Sequence, residues 1–240
     1  MKLLILSIYS RNSCYDKMLE VQRKYIHNYK DVDSYFIQSS NKYNEEIYVK
    51  NDMIYIRGVE DYSTILDKSL KAMKFLKEKN NKDYDFIIRT NISTIFNIPK
   101  LINLLNEYRN IEHLYGGDII GIIRNNRHIR LALGTCIILS KKISDIMIEK
   151  IDLFNHTIED DVSFGLFVEE HIPDAFNHDL KMGKYVLYSN SLENGYNTKL
   201  DDFINFIKNN EDKYIYYRNS LSDRFEDVKI MDYICNNLLT

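Results

Sequence analysis

Three consecutive acids, Glu159-Asp160-Asp161, stand directly before the apolar segment Val162-Ser163-Phe164-Gly165, and they are the strongest chemical signal in the chain. Carboxylates at a helix start can do two different things. They can answer the unpaired N–H groups and positive dipole of the first turn, which is a capping role, or one of them can take a proton from a hydroxyl as a general base. These residues alone leave both readings open. A second cluster is aromatic and cationic: Tyr214-Ile215-Tyr216-Tyr217-Arg218-Asn219-Ser220, followed by Arg224. Rings beside arginines stack on a nucleobase or clamp phosphate, and the alternative is a solvated, salt-bridged segment. Ser7, Tyr9 and Arg11 follow the first apolar run. The carboxyl end of a strand in an α/β sheet is where ligands bind, with an ordinary surface loop as the competing reading. His113, His128, His156, His171 and His178 lack HExxH-type spacing, which argues against a metal or nucleophilic role for them.

The elements that must position these groups follow from hydrophobic period. Short apolar runs alternate with longer segments of helical period, the pattern of strands joined by crossover helices in a largely parallel sheet, so the fold class is α/β. The pattern predicts strands over Leu3–Ile8, Asp33–Gln38, Glu46–Val49, Met53–Ile56, Asp85–Arg89, Ile119–Ile123, Ala132–Leu139 and Lys184–Tyr188. It predicts helices over Tyr15–Asn28, Tyr62–Lys79, Pro99–Asn106, Lys142–Lys150, Asp160–Glu170 and about Asp227–Asn236. The helix over Tyr62–Lys79 is the clearest, because Ile65, Leu66, Leu70, Met73 and Leu76 recur at three- to four-residue spacing. Gly116-Gly117-Asp118 reads as a turn.

Composition limits the function classes. The chain has 240 residues, of which 45% are hydrophobic, enough for one sizeable core. Only 2 Pro and 8 Gly, with no linker-like segment, point to a single domain. The 32 basic and 35 acidic side chains are mixed along the chain, so no basic stripe exists to track nucleic acid. Cys14, Cys136 and Cys235 are far apart and outside any CxxC spacing, which suits reduced thiols and a cytoplasmic location. The apolar start Leu3–Tyr9 breaks at Ser10-Arg11-Asn12-Ser13 without a small-residue cleavage site, so it reads as a buried strand rather than a signal peptide. No stretch approaches the roughly 20 apolar residues of a membrane span. The Asn-, Lys- and Ile-rich composition suggests an AT-rich genome, viral or bacterial.

Four short blocks, in order, resemble the β-1,3-galactosyltransferase and fringe group of GT-A glycosyltransferases. Tyr62-Ser63-Thr64-Ile65-Leu66-Asp67-Lys68 is similar to the helix before the family's central strand. Arg89-Thr90-Asn91-Ile92-Ser93-Thr94-Ile95-Phe96-Asn97 occupies the place of a strand ending in Lys-Thr-Asp-Asp-Asp-x-Phe-x-Asn. Leu133-Gly134-Thr135-Cys136-Ile137-Ile138-Leu139-Ser140 resembles the Gly-containing turn into a strand ending in Ser, and Asp160-Asp161-Val162-Ser163-Phe164-Gly165 resembles Glu-Asp-Val-x-x-Gly.

The resemblance implies a GT-A domain with residues 1–110 as the nucleotide-sugar half and 111–240 as the acceptor half and donor-closing segment. It implies Asp161 as the base that deprotonates an acceptor hydroxyl during inverting, in-line attack, with Asp160 and Glu159 adding like charge beside it. It implies a nucleotide-diphosphate-sugar donor, a UDP-sugar first, and a glycan acceptor, with Ser7, Tyr9 and Arg11 near the nucleotide and Tyr115 and Phe164 as candidate acceptor contacts. The departure is at the family's metal-binding aspartates, where this chain has Asn91, Ile92 and Ser93. An amide and a hydroxyl are poor substitutes for carboxylates around a divalent cation. The expectation is therefore an enzyme requiring no metal, with Mn²⁺ or Mg²⁺ as the alternative, in which Lys68, Arg89, Arg218 and Arg224, with Thr90, Asn91 and Ser93, hold the diphosphate. A catalytically degenerate GT-A domain acting as a binding or scaffold module is the competing function. Oligomeric state is not fixed by these features.

Overall fold

A computed structural model describes residues 1–80, 83–172, 174–180, 184–188, 205, 207–209, 214–221 and 223–239. The chain forms two compact units that alternate along the sequence, the first from residues 1–10, 31–91 and 105–181 and the second from 11–30, 92–104 and 182–240.

The first unit is built on an eight-stranded sheet. Its strands are β1 (Leu3–Ile8), β2 (Val32–Ser39), β3 (Ile47–Lys50), β4 (Met53–Ile56), β5 (Phe86–Asn91), β7 (Leu114–Arg124), β8 (Arg127–Ser140) and β9 (Phe176–Asp179), in the order β3-β4-β2-β1-β5-β8-β7-β9. From β4 through β2 and β1 to β5 the pairing is parallel. β8 then runs antiparallel to β5 and β7 antiparallel to β8. Every residue of β1 is buried, Ser7 included, as suits a strand flanked on both sides by parallel neighbours. The predicted strand Leu3–Ile8 is observed with those bounds.

Helices α2 (Ile65–Asn80), α4 (Lys141–Glu149) and α5 (Asp160–His171) supply apolar faces to the unit's main core. Leu66, Leu70, Met73 and Leu76 of α2 join Leu4, Leu6, Ile37, Ile87, Ile143 and Phe167 there. Each such side chain contributes about 1.5–3 kcal/mol on burial. A 3-10 turn, Tyr62–Thr64, leads into α2 through a capping box in which Asp61 accepts from Ser63 N at 2.8 Å. Gly165 lets α5 lie close on β8, because a Cβ there would sit 2.7 Å from the Arg130 carbonyl oxygen and 2.8 Å from Leu131 Cβ.

The predicted turn at Gly116-Gly117-Asp118 is a strand: all three residues lie within β7, which carries a register shift between Gly117 and Ile119. Gly117 is required by that geometry, since its φ is 141° and a Cβ would approach Cys136 O to 2.1 Å. The reversal lies later, at Asn125-Asn126, whose φ values of 49° and 60° match a two-residue hairpin turn.

In the second unit, α1 (Ser13–Ile26), most of α3 (Ile98–Glu107) and α6 (Arg224–Asn237) accompany a three-stranded sheet ordered β10-β11-β6. Its strands are β6 (Thr94–Phe96), β10 (Lys184–Tyr188) and β11 (Tyr216–Ser220). Asn12 caps α1 through Cys14 N, and Asp223 caps α6 through Phe225 N. The three cysteines are buried and none forms a disulfide among the described residues. Among the described residues, no helix is long and apolar enough to cross a membrane.

Candidate active site

The chemistry-bearing residues of the first unit gather where β5 ends and α5 begins. Arg89, near the end of β5, is 2% exposed. Its Nη2 lies 2.5 Å from Asp160 Oδ2, while Nη1 donates to the Gly134 carbonyl oxygen of β8 and, at 3.5 Å, to Asn91 Oδ1. Asp161, half-buried one residue further along α5, accepts from Gly134 N at 3.1 Å through Oδ2 and from Val162 N at 2.9 Å through Oδ1. The Gly134 residue is thus gripped from two sides. A side chain there would intrude, because a Cβ would lie 2.9 Å from Arg89 Nη1 and 3.4 Å from Asp161 Oδ2.

Three adjacent acids consequently have three fates. Glu159 turns outward to pair with Arg124 of β7, and its carboxyl is held low by its own backbone N–H and by that guanidinium. Asp160 turns inward to Arg89. Burial pushes its carboxyl up, the Arg89 charge opposes that shift, and the neighbouring Asp161 adds to it. Asp161 is half-buried and takes its hydrogen bonds from the backbone N–H groups of Gly134 and Val162. The Asp161 carboxylate answers a backbone N–H of the first turn of α5, that of Val162, as an acid at a helix start can.

A second ion pair, with a buried cation, stands beside the first. Lys68 of α2, 0% exposed, pairs with Glu60. Glu60 also accepts from Ser10 Oγ at 2.9 Å and from Ser39 N at 2.6 Å, joining the ends of β1 and β2 to α2. Burial pushes the Lys68 ammonium down, and Glu60 restrains the shift. Tyr62, 68% exposed, has its phenol pushed up first by partial burial and then by Asp160 and Asp161.

The remaining sequence-derived candidates fall as follows. Ser7 is 0% and Tyr9 5% exposed, both packed at the end of β1. Arg11 is exposed and belongs to the second unit. Thr90 is buried and donates to the Thr135 carbonyl oxygen at 2.7 Å, locking β5 to β8. Ser93, 2% exposed, lies in the second unit, where Gln22 of α1 donates to the flanking carbonyls of Ile92 and Thr94 at 2.5 and 3.0 Å. Arg218 and Arg224 are also second-unit residues and gather about Asp227, which is 0% exposed and accepts from Leu221 N at 3.1 Å. Arg224 pairs with that carboxylate and lies 5.5 Å from the Tyr15 ring centroid. Tyr115 and Phe164 are fully buried, so neither meets an acceptor, correcting that expectation. The Tyr115 hydroxyl instead accepts from Ala132 N at 3.0 Å. Glu60 escaped sequence reasoning, although a lysine on the apolar stripe of α2 signals that a buried acid must exist to meet it.

The donor set does not suit a divalent cation. Where β5 ends, the chain has the Asn91 amide in place of a carboxylate, and Asp160, which meets Arg89 there, is already matched by a guanidinium. Among the described residues, no three of the His, Cys, Asp and Glu side chains converge as a metal site would need.

No family model and no curated protein sequence matches the chain. Among solved structures, it is similar to a glycosyltransferase involved in the glycosylation of the major capsid of PBCV-1, at TM-score 0.50 and 10% identity over 97% of this chain and 99% of that one. It also aligns with the galactosyltransferase LgtC, solved with donor and acceptor sugar analogs, at TM-score 0.47 and 9% identity over 100% and 97%. The first likeness establishes the fold, an α/β architecture of the GT-A type.

Proposed function

We propose that the chain is an inverting glycosyltransferase that moves a sugar from a nucleotide-diphosphate donor, a UDP-sugar first, to a hydroxyl of a glycan acceptor. The observation that carries this reading is the placement of Asp161, a half-buried carboxylate fixed by Gly134 N–H at the carboxyl end of the parallel strands, where sheets of this class bind nucleotides. The similarity of the solved capsid glycosyltransferase and the four sequence blocks of the β-1,3-galactosyltransferase and fringe group support it.

In the proposed step, the acceptor hydroxyl gives its proton to an Asp161 carboxylate oxygen as its own oxygen forms a bond to the anomeric carbon. The bond from that carbon to the diphosphate breaks on the opposite face, and the nucleoside diphosphate leaves with the electron pair. Configuration inverts. Cationic side chains rather than a protein-held metal are proposed to stabilise the departing charge. Turnover of a UDP-sugar panel, by hydrolysis or transfer, tests both parts. Asp161→Asn is expected to abolish turnover while the donor still raises the melting temperature, and EDTA is expected to leave the wild-type rate unchanged. Full activity in Asp161→Asn, or loss with EDTA and recovery with Mn²⁺, would contradict the respective part.

One observation favours a non-catalytic binding module instead: Arg89 and Lys68 are already occupied by carboxylates. A protein that binds nucleotide sugars yet turns none over would support that reading.

A further inference from the structure

We infer that the buried Arg89–Asp160 pair is a positioning device for Asp161, acting through the peptide groups of Gly134. The inference rests on the reading of Asp161 as the base. Arg89 divides its guanidinium between two elements, Asp160 Oδ2 on α5 at 2.5 Å and the Gly134 carbonyl oxygen on β8. The N–H of the same Gly134 donates to Asp161 Oδ2 at 3.1 Å. One side chain therefore sets both the depth of the first turn of α5 and the place of the amide that aims its second residue. A Cβ at position 134 would lie 2.9 Å from Arg89 Nη1, so a methyl group there would push against the guanidinium.

A buried ion pair is a poor way to gain stability, since apolar residues of similar volume commonly serve as well or better. What the pair supplies that an apolar contact lacks is direction, because a planar fork fixes two acceptors in one plane. The Lys68–Glu60 pair lies close enough to influence this group, Arg89 depressing and Asp160 raising the Lys68 ammonium. It makes no bond to Gly134 or Asp161 among those described.

The double substitution Arg89→Met with Asp160→Leu separates positioning from support, because it removes both charges while keeping apolar volume. Hydrogen exchange at the Gly134 amide needs no donor, and Asp161→Ala fixes the rate of that amide without its carboxylate partner. Exchange at Gly134 is expected to rise about tenfold in the double variant, toward the Asp161→Ala rate, with Cys136 and Ile138 unchanged. Hydrolysis of a UDP-sugar is expected to lose about 100-fold in kcat with KM little altered. Arg89→Lys, whose ammonium cannot fork, is expected to fall between the two, and it carries the comparison should the double variant not fold. Wild-type exchange at Gly134 together with wild-type kcat in the substituted proteins would overturn the positioning role while leaving the base intact. Full turnover in Asp161→Asn is a different failure: it removes the base, and the positioning role with it.

Discussion

Two cation–carboxylate pairs of the first unit, each with a buried cation, sit close together, yet their surroundings differ. Lys68–Glu60 is a brace: the carboxylate also takes Ser10 Oγ and Ser39 N, so it ties two strand ends to a helix. Arg89–Asp160 ends on a peptide whose other face holds Asp161. Two ion pairs with buried cations can thus serve stability in one place and geometry in another. The deciding feature is the third partner, not the pair.

Substitutions can break this contrast or sharpen it. The largest effect is expected from Asp161→Asn, a loss of about 10³-fold in kcat, because the amide cannot accept the hydroxyl proton; steady-state kinetics with a UDP-sugar checks it. Glu60→Ala is expected to destabilise by about 3 kcal/mol, as it strands the Lys68 charge in the interior, with residual folded protein keeping its turnover. Urea unfolding followed by an assay at a temperature where the variant remains folded would show this, and a matching loss of kcat would erase the distinction between brace and positioner. Gly165→Val should cost about 1–3 kcal/mol by forcing α5 off β8, measurable by thermal melting. The smallest effect is expected at Glu159→Gln, within about 0.5 kcal/mol, since its pair with Arg124 is surface-exposed.

Much of the architecture was legible because it rests on local pattern. The largely apolar run of β1 and the stripe of α2 are strong local patterns, and both appear close to their expected bounds. Elements defined by distant partners were not legible. β6 is three residues long and exists because β11 pairs with it from far along the chain, and β11 carries the tyrosines and Arg218 that sequence reasoning treated as a charge cluster. The glycine pair in β7 read as a turn because glycine favours both turns and bulges, and only the approach of Cys136 O distinguishes them.

At the site, residue types were legible and pairings were not. Three adjacent acids suggested shared charge, but helical geometry points successive side chains about 100° apart, so they meet Arg124, Arg89 and Gly134 separately. Lys68 could have been flagged. It stands three residues after Ile65 and four before Ala72, on the apolar stripe, a position where lysine needs a partner.

The alternating descent of the two units sets a timetable for biosynthesis. β6 leaves the ribosome roughly 120 residues before β11, so at ordinary translation speeds its edge waits on the order of 10 s for a mate. Until β11 emerges, the three residues of β6 lack the strand they pair with in the folded protein.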